Sequence, residues 1–160
     1  MHVAKKLTAL SCIVFIGCGS DITPTDGAWS ATNLTFEVNE CEMDDVSGQA
    51  LPMYLSVTSD NLLELTLDED MVLTCVFEKG AFDCDPLDTI FDMNDTNGID
   101  AIMVARQTFS GAFSTEHDGS VTWTIDYTCT GTQCEEFLAA EEITVPCTTT
   151  ANGTLTHSGM

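Results

Sequence analysis

Between Asp83 and Asp100 the chain carries Asp83, Asp85, Asp88, Asp92, Asn94, Asp95, Asn97 and Asp100. Carboxylate and amide oxygens at this density are the donors a hard divalent cation takes, calcium above all. A helix-loop-helix calcium site needs such donors at its first, third and fifth positions, glycine at the sixth and glutamate at the twelfth. With Asp95, Asn97 and Gly98 at the third, fifth and sixth, the first position falls on Met93 and the twelfth on Val104, so both ends lack a ligand. Asp92, Asp95, Asn97 and Asp100 are therefore weak metal candidates, set against a solvated loop in which Asp and Asn serve turns. The expectation is no cofactor, with calcium as the alternative.

His117-Asp118, beside Ser114 and Ser120, has the residue types of a hydrolytic triad. All four fall within one predicted hairpin, which offers neither a separate nucleophile elbow nor an oxyanion hole. Beyond His2 near the start of the chain, only His117 and His157 are present, too few for a zinc site of the usual kind. Carboxylates are so numerous that choosing two as an acid and base pair is arbitrary. Asp95-Thr96-Asn97-Gly98 departs from the Asp-[Thr/Ser]-Gly of aspartic proteases. No catalytic residue is assigned, and the chain is read as a non-enzyme.

Sulfur is more definite. Lys5 and Lys6 precede an apolar run from Leu7 to Ile16 that ends in Gly17 and Cys18, the order of a secretory signal, with its helix at the N-terminus. Phe15-Ile16-Gly17-Cys18 resembles the lipobox of bacterial lipoproteins, with Phe15 where that family places an aliphatic residue. The resemblance implies cleavage after Gly17 and acylation of Cys18, the predicted lipidation site. Cys12 leaves with the signal, so Cys41, Cys75, Cys84, Cys129, Cys134 and Cys147 remain. Their even number in an exported chain reads as three disulfides. A two-residue loop at Lys79-Gly80 sets Phe77 opposite Phe82 and Cys75 opposite Cys84, at a non-hydrogen-bonded pair where side chains approach closely. A three-residue loop there staggers that pair. The same count around Gly131-Thr132 sets Cys129 opposite Cys134, and elimination leaves Cys41 with Cys147.

These groups need a scaffold, and period-two alternation supplies one. Leu34, Phe36, Val38; Met53, Leu55, Val57; Leu63, Leu65, Leu67; and Val121, Trp123, Ile125, Tyr127 read as half-buried antiparallel strands. Turn signals at Ser59-Asp60-Asn61, Asp118-Gly119 and Asn152-Gly153 separate them. The fold class is all-β, a single antiparallel β-sandwich or barrel with hairpins and three disulfides. Between Phe109 and Tyr127 a three-residue loop His117-Asp118-Gly119 sets Phe113 opposite Trp123 and Phe109 opposite Tyr127. Residues 85–100 read as an irregular loop broken by Pro86 and Gly98, and 135–142 as either a short helix or not. The domains are a signal peptide, 1–17; a lipidated tether, 18–26; and a β-domain, 27–160.

After removal of residues 1–17, the 26 acidic side chains face only Lys79 and Arg106, a formal charge of −24. Such a surface repels nucleic acid and anionic bilayers alike, so membrane attachment rests on the lipid anchor. Gly19 after Cys18 favours the outer membrane under the best-known lipoprotein sorting rule. Gly27-Ala28-Trp29 and Thr124-Ile125-Asp126-Tyr127 resemble the Gly-x-Trp and Thr-Asp-Tyr signatures of lipocalins, the second interrupted by Ile125. That resemblance implies a barrel interior that binds a small hydrophobic ligand, with Trp29 closing one end. The expectation is a monomeric, lipid-anchored envelope protein with a structural or interaction role, its domain in the periplasm or at the cell surface. The alternatives are a lipocalin-like carrier and a calcium-dependent module.

Overall fold

The computed structural model describes residues 22–159 apart from 45, 47, 60, 69–70 and 141–143. The signal peptide and Cys18 lie outside the described residues. Nine strands and two short helices follow in order: β1 (Gly27–Asn39), β2 (Leu51–Ser59), β3 (Leu62–Asp68), β4 (Met71–Glu78), β5 (Ala81–Cys84), β6 (Leu87–Asp92), α1 (Met93–Asn97), β7 (Ile102–Phe113), β8 (Asp118–Thr130), α2 (Cys134–Ala140) and β9 (Cys147–Gly159). All the pairings are antiparallel. The order β5-β4-β3-β2-β1-β9-β8-β7 closes through β5–β7, from Ala81↔Ala112 to Asp83↔Ser110. The result is an eight-stranded barrel, which decides between the two all-β forms expected. β6 is a ninth strand that continues along β7 where β5 leaves off.

Closure puts one face of every strand inside. The core cluster draws Trp29, Leu34, Leu55, Leu65, Phe77, Phe82, Phe109, Phe113, Val121 and Leu155 from all eight barrel strands, so side chains fill the interior. One end carries an aromatic layer. The Trp29 ring packs edge-on against Phe113 and His157, each with centroids 5.4 Å away, and Phe113 lies 5.3 Å from Phe82. Gly27 belongs to this layer because a Cβ on it would stand 2.9 Å from Nε2 of His157, at a φ of +134°.

Several sequence expectations are corrected. β7 and β8 pair Phe109 with Trp123 and Phe113 with Gly119, four places from the expected register. The turn is set by Thr115, whose hydroxyl accepts from the backbone N–H groups of His117 (3.1 Å) and Asp118 (2.9 Å). A side chain that caps a longer turn overrides the bulge expected at Gly119. Gly119 instead lies within β8, where a Cβ would come 2.6 Å from the Ala112 carbonyl oxygen. Asn152-Gly153 is likewise no turn. It lies inside β9, because a Cβ on Gly153 would meet Leu34 at 2.8 Å.

The expected irregular loop over 85–100 contains β6 and α1. Leu87, Thr89 and Phe91 supply a period-two face, and Pro86 stands just ahead of the strand, where a missing N–H breaks no ladder bond. Of the expected tether, residues 22–26 pack on the barrel: Ile22 adjoins the core, Thr25 N donates to Glu116 O at 2.9 Å, and Asp26 Oδ1 accepts from Val57 N at 2.7 Å.

Candidate functional site

The barrel has two unlike ends. The first is closed by the strap of residues 22–26, which crosses the aromatic layer. Trp29 Nε1 donates to the Thr25 carbonyl at 2.9 Å, and the Thr25 hydroxyl lies 3.4 Å from Nε2 of His117. The His117 ring stands 5.3 Å from His157. Ser114, the other member of the triad considered above, donates its hydroxyl to the Asp118 carbonyl at 3.2 Å. These groups tie a turn and a strap together: the hydroxyl that meets His117 is that of Thr25 in the strap, while Ser114 is turned to the Asp118 carbonyl. An open cleft of ≈ 530 Å³ lies here among Ile22, Val57, Phe77 and the Lys79-Gly80 turn.

The second end gathers most of the residues singled out by sequence. Asp92 caps α1, its Oδ1 accepting from Asn94 N at 2.9 Å, and Asp95 is exposed in the first turn of that helix. Asn97 ends α1. Asp100 is held differently. Its carboxylate accepts from both the hydroxyl and the backbone N–H of Thr132, and its own N–H donates to Gln133 Oε1 at 2.8 Å. The Thr132 hydroxyl bond, aided by the Thr132 N–H, holds the Asp100 carboxyl below the ordinary 3.8. Asp100 is thus a clamp on the turn between β8 and α2. Gly131 completes that turn, since a Cβ there would meet the Asp100 carbonyl oxygen at 2.3 Å. Among the described residues no three His, Cys, Asp or Glu side chains stand close enough together to hold a metal ion.

Disulfides brace both the second end and the middle. Cys41 bridges Cys147, Cys129 bridges Cys134, and Cys75 bridges Cys84. Cys75–Cys84 spans the hairpin around Lys79-Gly80, whose two residues have φ of +52° and +81°, with Glu78 opposite Ala81. The Cys129–Cys134 geometry differs from the expected hairpin, because Cys134 opens α2 and the bridge runs from strand to helix. The segment 135–142 is helical through Ala140.

Sequence reasoning missed the strand between these landmarks. β6 pairs with β7 from Leu87↔Gln107 to Asp92↔Ile102. Its side chains include Ile90, 64% exposed, and Phe91, 43% exposed, beside Ile102 at 36% on β7. Arg106, directly opposite Asp88, reaches its carboxylate at 3.7 Å. The β-branched Thr89-Ile90 pair and the alternation of Leu87, Thr89 and Phe91 were the available signals. The chain matches no protein-family model, no curated protein and no solved structure.

Proposed function

We propose that the protein is a lipid-anchored module of the bacterial cell envelope that acts by binding other molecules rather than by catalysis. Acyl chains on Cys18 hold it, and its β6–α2 end is presented away from the membrane. The supporting observation is the strap: residues 22–26 lie across one barrel end, while β6, α1 and α2 belong to the other. Only Cys18–Asp21 then separates the lipid from the barrel, a reach of about 14 Å when extended. Two or more acyl chains make such attachment stable, and a charge of −24 keeps the domain surface off an anionic bilayer. The outer membrane is the proposed address, with the module monomeric there.

Mass spectrometry of membrane-extracted protein tests the anchor. The expected result is an acylated N-terminal Cys18, with Cys18→Ala released from the membrane fraction or left unprocessed. An unmodified N-terminus elsewhere overturns it.

The second reading is a carrier of a small hydrophobic ligand. It is favoured by the closed antiparallel barrel, whose consecutive strands pair except where β5 passes over β6 to meet β7, with Trp29 buried at one end beside Gly27. Because side chains from eight strands fill the interior, the ligand would occupy the cleft at Ile22, Val57 and Phe77. Titration with a fluorescent fatty-acid analogue tests it: saturable binding that Val57→Arg abolishes supports a carrier, and no saturation removes it.

A further inference from the structure

We propose that β6 is a docking edge on which an extended, basic segment of a partner protein adds as a further strand. The proposal rests on the binding role stated above and is independent of the lipid anchor. The backbone shows how the edge arises. The ladder between β4 and β5 runs from Glu78↔Ala81 to Cys75↔Cys84, and its last bond is Asp85 N donating to Thr74 O at 2.9 Å. Pro86 follows, and from Leu87 the chain keeps to β7 while parting from β4. The Cys75–Cys84 bridge fixes the rung at which the two separate. Among the described residues β6 pairs with β7 alone, so its other side presents backbone N–H and C=O groups for a strand to meet.

Side chains reinforce this. Exposed edges are commonly blunted by a proline, a lysine or a bulge within the strand. β6 has none of these three; the charge it carries is acidic, at Asp88 and Asp92, which repels another acidic strand and admits a basic one. It runs against β7 without a register shift and places Ile90 and Phe91 in water, 64% and 43% exposed, with Ile102 beside them.

Charge selects the occupant. Asp83 on β5, Asp85 in the link, and Asp88 and Asp92 on β6 follow one another along the chain, and Arg106 on β7 already meets Asp88. A second copy of the chain brings the same acids and the same net charge of −22, so self-pairing here sets like charges opposite one another. The strap departs from the opposite barrel end, which removes the tether as an occupant. An extended segment alternating Lys or Arg with apolar residues fits both features. Its cations lie on the face that carries Asp88, Ile90 and Asp92, with their stems along Ile90, and its apolar side chains cover Phe91 on the opposite face.

The full chain and a short, end-capped synthetic peptide alternating lysine with isoleucine and valine test this by fluorescence anisotropy at low salt. Saturable binding is expected, with new hydrogen-exchange protection over residues 87–92 and affinity falling as salt rises. Ile90→Lys should weaken binding by at least about tenfold, as should glutamate in place of the peptide's lysines, since each puts like charges across the edge. N-methylation of alternate peptide amides should do the same without altering the protein. Absence of binding overturns the proposal. So does binding insensitive to Ile90→Lys and to N-methylation, which identifies diffuse attraction to an acidic surface. A dimer of the chain alone that Ile90→Lys dissolves in sedimentation also overturns it, because the occupant is then a second copy.

Discussion

Replacing Cys41 and Cys147 together by alanine should cost this fold more than removing the Cys129–Cys134 bridge, and the difference follows from chain length. A cross-link stabilises chiefly by limiting the unfolded chain, by an amount that grows with the logarithm of the loop it closes. The separations are 106 residues for Cys41–Cys147, 9 for Cys75–Cys84 and 5 for Cys129–Cys134. The chain-entropy relation converts these to about 4.8, 2.6 and 2.1 kcal/mol at 25 °C. Cys75 and Cys84 lie in the core, so their loss adds a packing cost that blurs the comparison. Cys41–Cys147 against Cys129–Cys134 is cleaner, with an expected gap of about 2.7 kcal/mol. Equilibrium urea unfolding at fixed salt measures it. A second readout is the slope of free energy against urea, which should steepen most when the long loop is released, because the unfolded chain then exposes more surface. A gap below about 1 kcal/mol with equal slopes would refute the loop-length account and assign the stabilisation to local contacts.

Three further outcomes are expected. Trp29→Ala should cost about 3–5 kcal/mol in urea unfolding, and half-buried Trp123→Ala clearly less; equal costs would show that the aromatic layer does not hold the closed end. Gly98→Ala, at φ +68° with nothing within 4 Å of the new Cβ, should cost about 1 kcal/mol, whereas Gly131→Ala must also displace the Asp100 carbonyl and should cost more by thermal melting. The Asp100 carboxyl is depressed below 3.8 in the fold, so its stabilisation is complete above that value and is lost as pH falls through the lower folded value. The melting-temperature gap between the parent chain and Asp100→Asn should therefore hold steady from neutral pH to about 5 and close below about 4. A gap unchanged at low pH would contradict the role of the charged carboxylate.

What was legible in the sequence was local. The Lys79-Gly80 hairpin could be counted because two residues with left-handed backbones join two alternating runs, and the buried cysteines then fall opposite each other. β2 and β3 were visible from alternation, Met53, Leu55, Val57 and Leu63, Leu65, Leu67 all falling on buried or part-buried positions of one face. The β7–β8 register was not, because a threonine hydroxyl rather than a glycine sets that turn, and hydroxyl caps leave only a weak trace in composition. Glycines at 119 and 153 misled in a related way. They are small because a backbone or a leucine passes close by, which is a long-range fact. Barrel closure rests on β1 with β9 and β5 with β7, pairings distant in sequence that alternation alone leaves open. Of the candidate site, the acids were visible and the strand beneath them was hidden by Pro86 and Gly98.

The two ends of the barrel are held by different means, and this bears on why one of them can bind. At the strapped end Trp29, Phe77, Phe82 and Phe113 fill the space, so apolar packing supplies the order. Toward the other end the inward positions turn polar or partly exposed. Gln107 accepts from Trp123 Nε1, Thr149 meets Asn39, and Tyr127 lines a shallow cleft with Met43, Met103 and Val145. Packing is thinner there, and two disulfides together with the Asp100–Thr132 clamp stand in its place. Covalent and hydrogen-bonded bracing fixes backbone position without consuming the nearby side chains. Ile90, Phe91 and the acids along β6 can therefore stay in water on a strand whose position is set.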